Sequence, residues 1–153
     1  MGHKRNHNLE LIDEHYTPLW VFEALAVEFD LDVAAAMDIT KSNVPAKHWF
    51  NEETNGLEQE WFGNVWMNPP YSKMTPWANK FREHKQGIAI MPVSRSRWFE
   101  AMWQEADGIT ITPHNLKFDR VNEKPKTIAF QTVIVAFGKE NVEALKRLEF
   151  KVR

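Results

Sequence analysis

Apolar residues recur at two different periods along this chain, and the switches between periods mark out its elements. Leu19, Phe22, Leu25, Ala26 and Phe29 fall at helical spacing, with Thr17-Pro18 as cap and first turn, which predicts a helix over 18–29. Phe29-Asp30-Leu31-Asp32-Val33-Ala34 alternates apolar with polar and reads as a strand ending in small residues. Positions 38–60 are polar and broken by Pro45, Asn55 and Gly56, with one short strand candidate at His48–Phe50. Val65-Trp66-Met67 is an apolar run that must stop at Asn68-Pro69-Pro70, because proline cannot continue a central ladder. Thr75–His84 reads as a helix with Trp77, Ala78 and Phe81 on one face, Gly87–Val93 as a buried-type strand, and Arg97–Ala106 as a helix. Ile109–Thr112 and Leu116–Phe118 are short strand candidates, and Thr127–Phe137 is a long one rich in β-branched and aromatic residues. Glu140–Leu148 completes the pattern as a helix.

Strands alternating with helices predict an α/β domain with a mostly parallel sheet. No repeat or low-complexity linker interrupts the pattern, so residues 1–153 are expected to form one domain, with 1–12 as a flexible N-terminal arm. Parallel sheets bind ligands beyond the carboxyl ends of their strands. Two segments with useful chemistry fall at such ends, Asp32-Val33-Ala34 and Asn68-Pro69-Pro70-Tyr71. In the second, two prolines remove amide donors and leave carbonyl oxygens to accept. The asparagine adds another acceptor oxygen and the tyrosine an aromatic face, a combination suited to an amino group on a planar heterocycle. A rigid turn after a strand accounts for the same four residues equally simply.

Composition narrows the classes. At 153 residues and 43% hydrophobic, the chain suits one core. It has no cysteine, which excludes disulfides, thiolate metal sites and cysteine nucleophiles, and its six histidines form no close helical pair, so no metal site is expected. No apolar run reaches membrane-spanning length and the N-terminus is polar, so a cytoplasmic protein without membrane association is expected. The net charge of −2 is not that of a general DNA binder, but the cations cluster as Lys80, Arg82 and Lys85, as Arg95 and Arg97, and as Lys117, Arg120, Lys124 and Lys126. Each cluster also reads as ordinary solvated surface. Seven tryptophans and ten phenylalanines mostly build core, with some available to stack on bases.

The tetrapeptide Asn68-Pro69-Pro70-Tyr71 resembles the [Asn/Asp/Ser]-Pro-Pro-[Tyr/Phe/Trp] signature of amino-methyltransferases, and its place after an apolar strand matches theirs. Tyr16-Thr17-Pro18, Leu31-Asp32-Val33-Ala34-Ala35, Asn55-Gly56-Leu57, Trp61 and Val65–Ser72 are similar in order and spacing to the phage DNA N-6-adenine methyltransferases, a Dam-like family, over residues 13–138. That resemblance implies a compact Rossmann-like fold using S-adenosylmethionine, with an antiparallel last strand. Only 35 residues separate Asp32 from Asn68, so its second and third strands should be stunted. It implies that Tyr16, Thr17 and Pro18 lie against the methionine part of the cofactor and Asp32 near its methionine or ribose end. Ala34 would lie in the cofactor turn, Asn55 near the cofactor adenine, and Asn68 beside the transferred methyl. Tyr16 as core, Asp32 as a solvated carboxylate and Asn55 as a turn residue are the simpler readings. One departure is that the first cofactor turn, Ala34-Ala35-Ala36-Met37, has no glycine.

The implied reaction is methylation of the exocyclic amino group of an adenine flipped out of double-stranded DNA. Tyr71 would stack on the base, while the Asn68 side chain and the Pro69 carbonyl accept from the amino group. Specificity would come from the loops Ser94–Trp98 and His114–Lys126, with Ser94, Arg95, Arg97, Trp98, Lys117, Arg120 and Lys124 as DNA contacts, and with Lys80 and Lys85 facing solvent elsewhere. A phage or prophage origin and a monomer fit this reading. Methylation of a protein glutamine or of RNA adenine, or a non-catalytic module of the same fold, are the alternatives.

Overall fold

Two helices cover each face of a six-stranded sheet, and strand alternation decides which side chains meet which pair. The structure is a computed structural model that describes residues 15–112, 117–120, 123–127 and 131–148, with backbone alone at 15–16, 117–120 and 123–127. The elements run β1 (His15–Tyr16), α1 (Leu19–Leu25), β2 (Phe29–Asp32), β3 (Ala46–Trp49), β4 (Val65–Met67), α2 (Met74–His84) and β5 (Gly87–Pro92). Then follow α3 (Arg97–Glu105), β6 (Gly108–Ile111), β7 (Lys117–Arg120), β8 (Glu123–Thr127), β9 (Thr132–Phe137) and α4 (Lys139–Lys146). The large sheet has the order β3-β2-β4-β5-β9-β6. Its first four strands are mutually parallel, and β9 runs antiparallel to both β5 and β6.

Along β5 and β9, Ile88, Ile90, Ile134 and Ala136 point to α1 and α4, while Ala89, Met91, Val133, Val135 and Phe137 point to α2 and α3. Trp66 is the largest fully buried side chain, packed edge-on against Phe22 at 4.7 Å and tilted against Phe29 at 5.7 Å. Each such side chain contributes roughly 1.5–3 kcal/mol by leaving water. The mixed α/β class and the mostly parallel sheet agree with the sequence pattern, and the antiparallel last strand with what the family resemblance implies.

Several boundaries differ. The first helix stops at Leu25, because Ala26 turns left-handed (φ 52°) and donates its N–H to the Phe22 carbonyl at 3.0 Å. Phe29 therefore belongs to β2 despite its helical spacing, and the N-cap is Pro18 rather than Thr17. Between β2 and β4 there is one strand, not two stunted ones. Residues on either side of β3 are committed to turns, with Asp38 capping Thr40 at 3.1 Å and Asn51 capping Thr54 at 3.1 Å.

The expected long strand at Thr127–Phe137 is two pieces, β8 and β9. The expected loop at His114–Lys126 instead contains the hairpin β7–β8, so Lys117, Arg120, Lys124 and Lys126 stand on strands. Pro125 is compatible with this because β8 is an edge of the small sheet β1-β7-β8. Leu116, His114 and the expected arm at 1–12 lie outside the described residues. Among the described residues, no helix is long and apolar enough to cross a membrane.

Candidate active site

The two strand ends singled out above emerge side by side. β2 and β4 are neighbours with Asp32 opposite Trp66, and the Val33 N–H donates to the Trp66 carbonyl at 3.1 Å. On the other flank, Phe50 donates to the Asp32 carbonyl at 2.9 Å and Ala35 to the Phe50 carbonyl at 2.7 Å, which ties the alanine turn to the end of β3. A 3-10 turn at Gly56–Glu58 docks on the same spot. A Cβ on Gly56 would lie 2.0 Å from the Val33 carbonyl oxygen, so only glycine permits this approach.

Asn55 precedes that turn in the left-handed region (φ 52°), which asparagine tolerates, and its Oδ1 accepts from the Leu57 N–H at 3.2 Å. The structure brings Asn55 to the site, but its carboxamide oxygen caps its own turn. Lys80, read from sequence as solvent-facing, reaches the same turn from α2. No local pattern signals this, because the partners are 23 residues apart.

Asp32 is 3% exposed, and burial pushes its carboxyl up from 3.8 to about 7 despite the Ala34 N–H it accepts at 3.3 Å. The solvated alternative is therefore excluded. A carboxyl titrating above its unfolded value lets the native state hold an extra proton between about pH 4 and 7. Its stabilising effect is complete below pH 4 and is lost as pH rises through about 7. At about 1.36 kcal/mol per unit the difference is roughly 4 kcal/mol. Denaturant melts at pH 5 and pH 8 should show wild type losing stability at the higher pH and Asp32→Asn losing much less. Equal losses in the two proteins would mean that Asp32 is not the titrating group.

Thr17 and Pro18 stand at the start of α1, beside β4's end, with Thr17 buried. The Asn68 Nδ2 donates to the Thr17 hydroxyl oxygen at 3.3 Å, and Asn43 Nδ2 donates to the Thr17 carbonyl at 3.0 Å. The first contact turns the Asn68 amide nitrogen toward Thr17 and its oxygen away. Tyr16 immediately precedes Thr17 on β1, and its side chain lies outside the described residues.

Pro69 is buried, and Lys73 closes the following turn by donating to the Pro70 carbonyl at 3.0 Å. Tyr71, 8% exposed, packs in the cluster with Met74 and Trp77. Its remaining surface helps line a cleft of about 380 Å3 with Ser72, Thr75, Val93, Ser94 and Trp98. Ser94 braces the far wall, its hydroxyl 2.9 Å from that of Ser96 and accepting the Ser96 N–H at 3.1 Å. Arg95 is exposed on the loop after β5, whereas the expected loop Ser94–Trp98 ends early: Arg97, also exposed, opens α3, and Trp98 is buried against Phe99 within that helix. The backbone of β7, which carries Lys117 and Arg120, pairs with β1, which leads directly into Thr17; β8, which carries Lys124, pairs with β7. Among the described residues no group of three or more His, Asp or Glu is arranged to hold a metal ion.

An α/β protein with a mostly parallel sheet, carrying Asp32 and Asn68–Tyr71 at adjacent strand ends, is thus defined on structural grounds. Comparison with known proteins specifies it further. A model of the DNA N-6-adenine-methyltransferase (Dam) family matches residues 4–144, and the chain belongs to that family. It is 31% identical to a DNA N-6-adenine-methyltransferase of Haemophilus phage HP1 over 114 residues, 67% of this chain and 64% of that relative. It is 34% identical to a DNA N-6-adenine-methyltransferase of Escherichia phage T1 over 95 residues, 52% of this chain and 38% of that relative. The chain thus spans less than two thirds of the length of either curated relative. No solved structure matches it significantly.

Proposed function

We propose that this chain transfers a methyl group from S-adenosylmethionine to the exocyclic amino group of adenine in double-stranded DNA. The observation that carries the reading is the adjacency of Asp32 and Asn68–Tyr71 at neighbouring strand ends, beside a cleft of about 380 Å3. The strand order and the antiparallel β9 support a shortened Rossmann-like methyltransferase sheet. The donor side suits a cationic amino-acid-bearing ligand. A buried carboxyl, Asp32, stands beside a turn of alanines whose small side chains leave room. A cation bound there would draw its titration back down. Asp32 and Ala34 would hold the donor from β2, Thr17 and Pro18 from α1, and the Asn55–Glu58 turn from the opposite side, with Tyr16 contributing from β1. When bound, the donor supplies an electrophilic methyl on sulfonium sulfur.

The chain's own residues act by positioning. A stacked adenine cannot offer its amino group to a protein cleft, so the base must be extruded. Tyr71 lines the cleft and packs on the extruded ring. Asn68 Oδ1 and the Pro69 carbonyl accept the two amino hydrogens, which holds the nitrogen lone pair toward the donor. The nitrogen sheds its surplus proton after transfer, and no strong base is needed.

Tritiated donor and plasmid from a host lacking adenine methylation test the reading. Label should appear in DNA and map to adenine. Label in protein or RNA alone, or none at all, would overturn it.

The DNA side also predicts a salt effect. Arg95 and Arg97 flank the cleft, whereas Lys85 and Lys139 lie at the opposite, amino-terminal edge of the central strands. Charge reversal of the arginine pair should weaken DNA binding and lower its salt slope by about 0.9 for each phosphate no longer neutralised. The lysine pair should change little. Equal effects would show that the basic loops, with Ser94, Trp98, Lys117, Arg120 and Lys124, do not form the DNA face.

A further inference from the structure

Lys80 is 23 residues from the Leu57 carbonyl it binds, and its ammonium is folded back onto the protein. Its Nζ donates to the Leu57 carbonyl at 2.9 Å and to the Gln59 carbonyl, and lies 5.3 Å from the centre of the Trp61 ring. Trp61 in turn donates Nε1–H to the Gly56 carbonyl at 2.9 Å, and its ring stacks over Trp77 at 6.4 Å. Three carbonyls of one short turn are therefore bound by donors from outside the 3-10 helix. Within the turn, Glu58 N–H donates to the Asn55 carbonyl at 3.0 Å, while Gln59 N–H reaches the Gly56 carbonyl only at 3.4 Å. An ammonium suits this place because it offers three donors to converging carbonyl dipoles and a charge to the aromatic face.

We propose that Lys80 is a positioning residue that holds the Asn55–Gln59 turn against the end of β2 and so shapes the donor side of the active site. The proposal rests on the donor-site reading above. It reassigns a basic residue from solvated surface to the cofactor side.

The test compares wild type with Lys80→Met, which keeps the aliphatic stem, and Lys80→Arg, which keeps the donors. Loss of charge-assisted bonds to the turn should raise the KM for S-adenosylmethionine and the Kd for S-adenosylhomocysteine roughly tenfold in Lys80→Met. The kcat should stay within about twofold, because Lys80 does not touch the reacting atoms. Amide exchange at residues 56–59 should speed up, and Lys80→Arg should recover most of both effects. A purely structural lysine would instead lower folded fraction and kcat together without a KM split, and that outcome overturns the assignment.

If Lys80→Met folds poorly, Trp61→Phe removes the bond to Gly56 and shrinks the ring beneath the Lys80 ammonium, and should raise Kd in the same direction. Unaltered affinity in these variants, or unaltered exchange at 56–59, also overturns the assignment. A wild type that binds no S-adenosylhomocysteine overturns the donor-site reading and this inference with it; wild-type binding with unaltered Lys80→Met affinity overturns this inference alone.

Discussion

Replacing Asn68 with alanine should lower the rate of methyl transfer by roughly a factor of 10³ while donor affinity stays within about threefold. Asn68 leaves β4 at the carboxyl edge with its Nδ2 bonded to Thr17, so the carboxamide oxygen has a fixed direction. A preoriented acceptor costs no reorganisation when the substrate amino group arrives, which is why its removal falls on the chemical step. Asn68→Asp keeps an acceptor oxygen and should retain part of the activity. Removing the hydrogen bond to Thr17 costs about 1 kcal/mol of stability, too little to unfold a domain. Single-turnover methylation and titration with S-adenosylhomocysteine separate the two effects. Near-normal turnover in the alanine variant would remove Asn68 from the catalytic centre.

Gly56→Ala should be the most damaging of the single-methyl changes. The added carbon would sit 2.0 Å from the Val33 carbonyl oxygen and 3.2 Å from the Trp77 ring. The first of these neighbours is backbone at the end of a central strand and cannot rotate aside. Either the turn lifts from β2 or the strand end yields. Overpacking of this kind costs about 1–3 kcal/mol, and the donor side of the site moves with it. Denaturant melts and donor titration should both register the change, with affinity falling more than tenfold. Wild-type values in both would mean that the turn adapts without consequence, and would weaken the assignment of Lys80 as well.

Much of this was legible in sequence because it is local. Val65–Met67 stops at two prolines whatever surrounds it, and Gly87–Pro92 is apolar throughout because both faces of β5 are covered by helices. Both strand ends followed from those patterns. Their adjacency did not, since it depends on the pairing of β2 with β4 across 33 intervening positions (32 to 66).

Phe29 misled because its spacing satisfies a helix, while the actual stop is Ala26, a residue with no preference for a left-handed cap. The strand candidate Leu116–Phe118 pointed to β7, but β8 was hidden by its charges and by Pro125, which an edge strand accepts. Asn55 and Lys80 were legible in type but not in use. One caps its own turn and the other crosses to a turn some twenty residues upstream, and neither partner leaves a periodic trace.

The interior place of β9 also orders events during synthesis. The parallel strands β3, β2, β4 and β5 can assemble as soon as Pro92 has emerged, but β5 then presents its whole ladder edge to the surroundings. The strand that closes it ends at Phe137, 45 residues later, which ribosomes reach after roughly 2–9 s. β6 emerges in that interval and has no partner in the sheet until β9 arrives. During those seconds the nascent chain carries an apolar, unpaired edge of the kind that recruits other strands. Arrival of β9 ends that exposure, because in the finished sheet it covers the β5 edge and brings β6 into place.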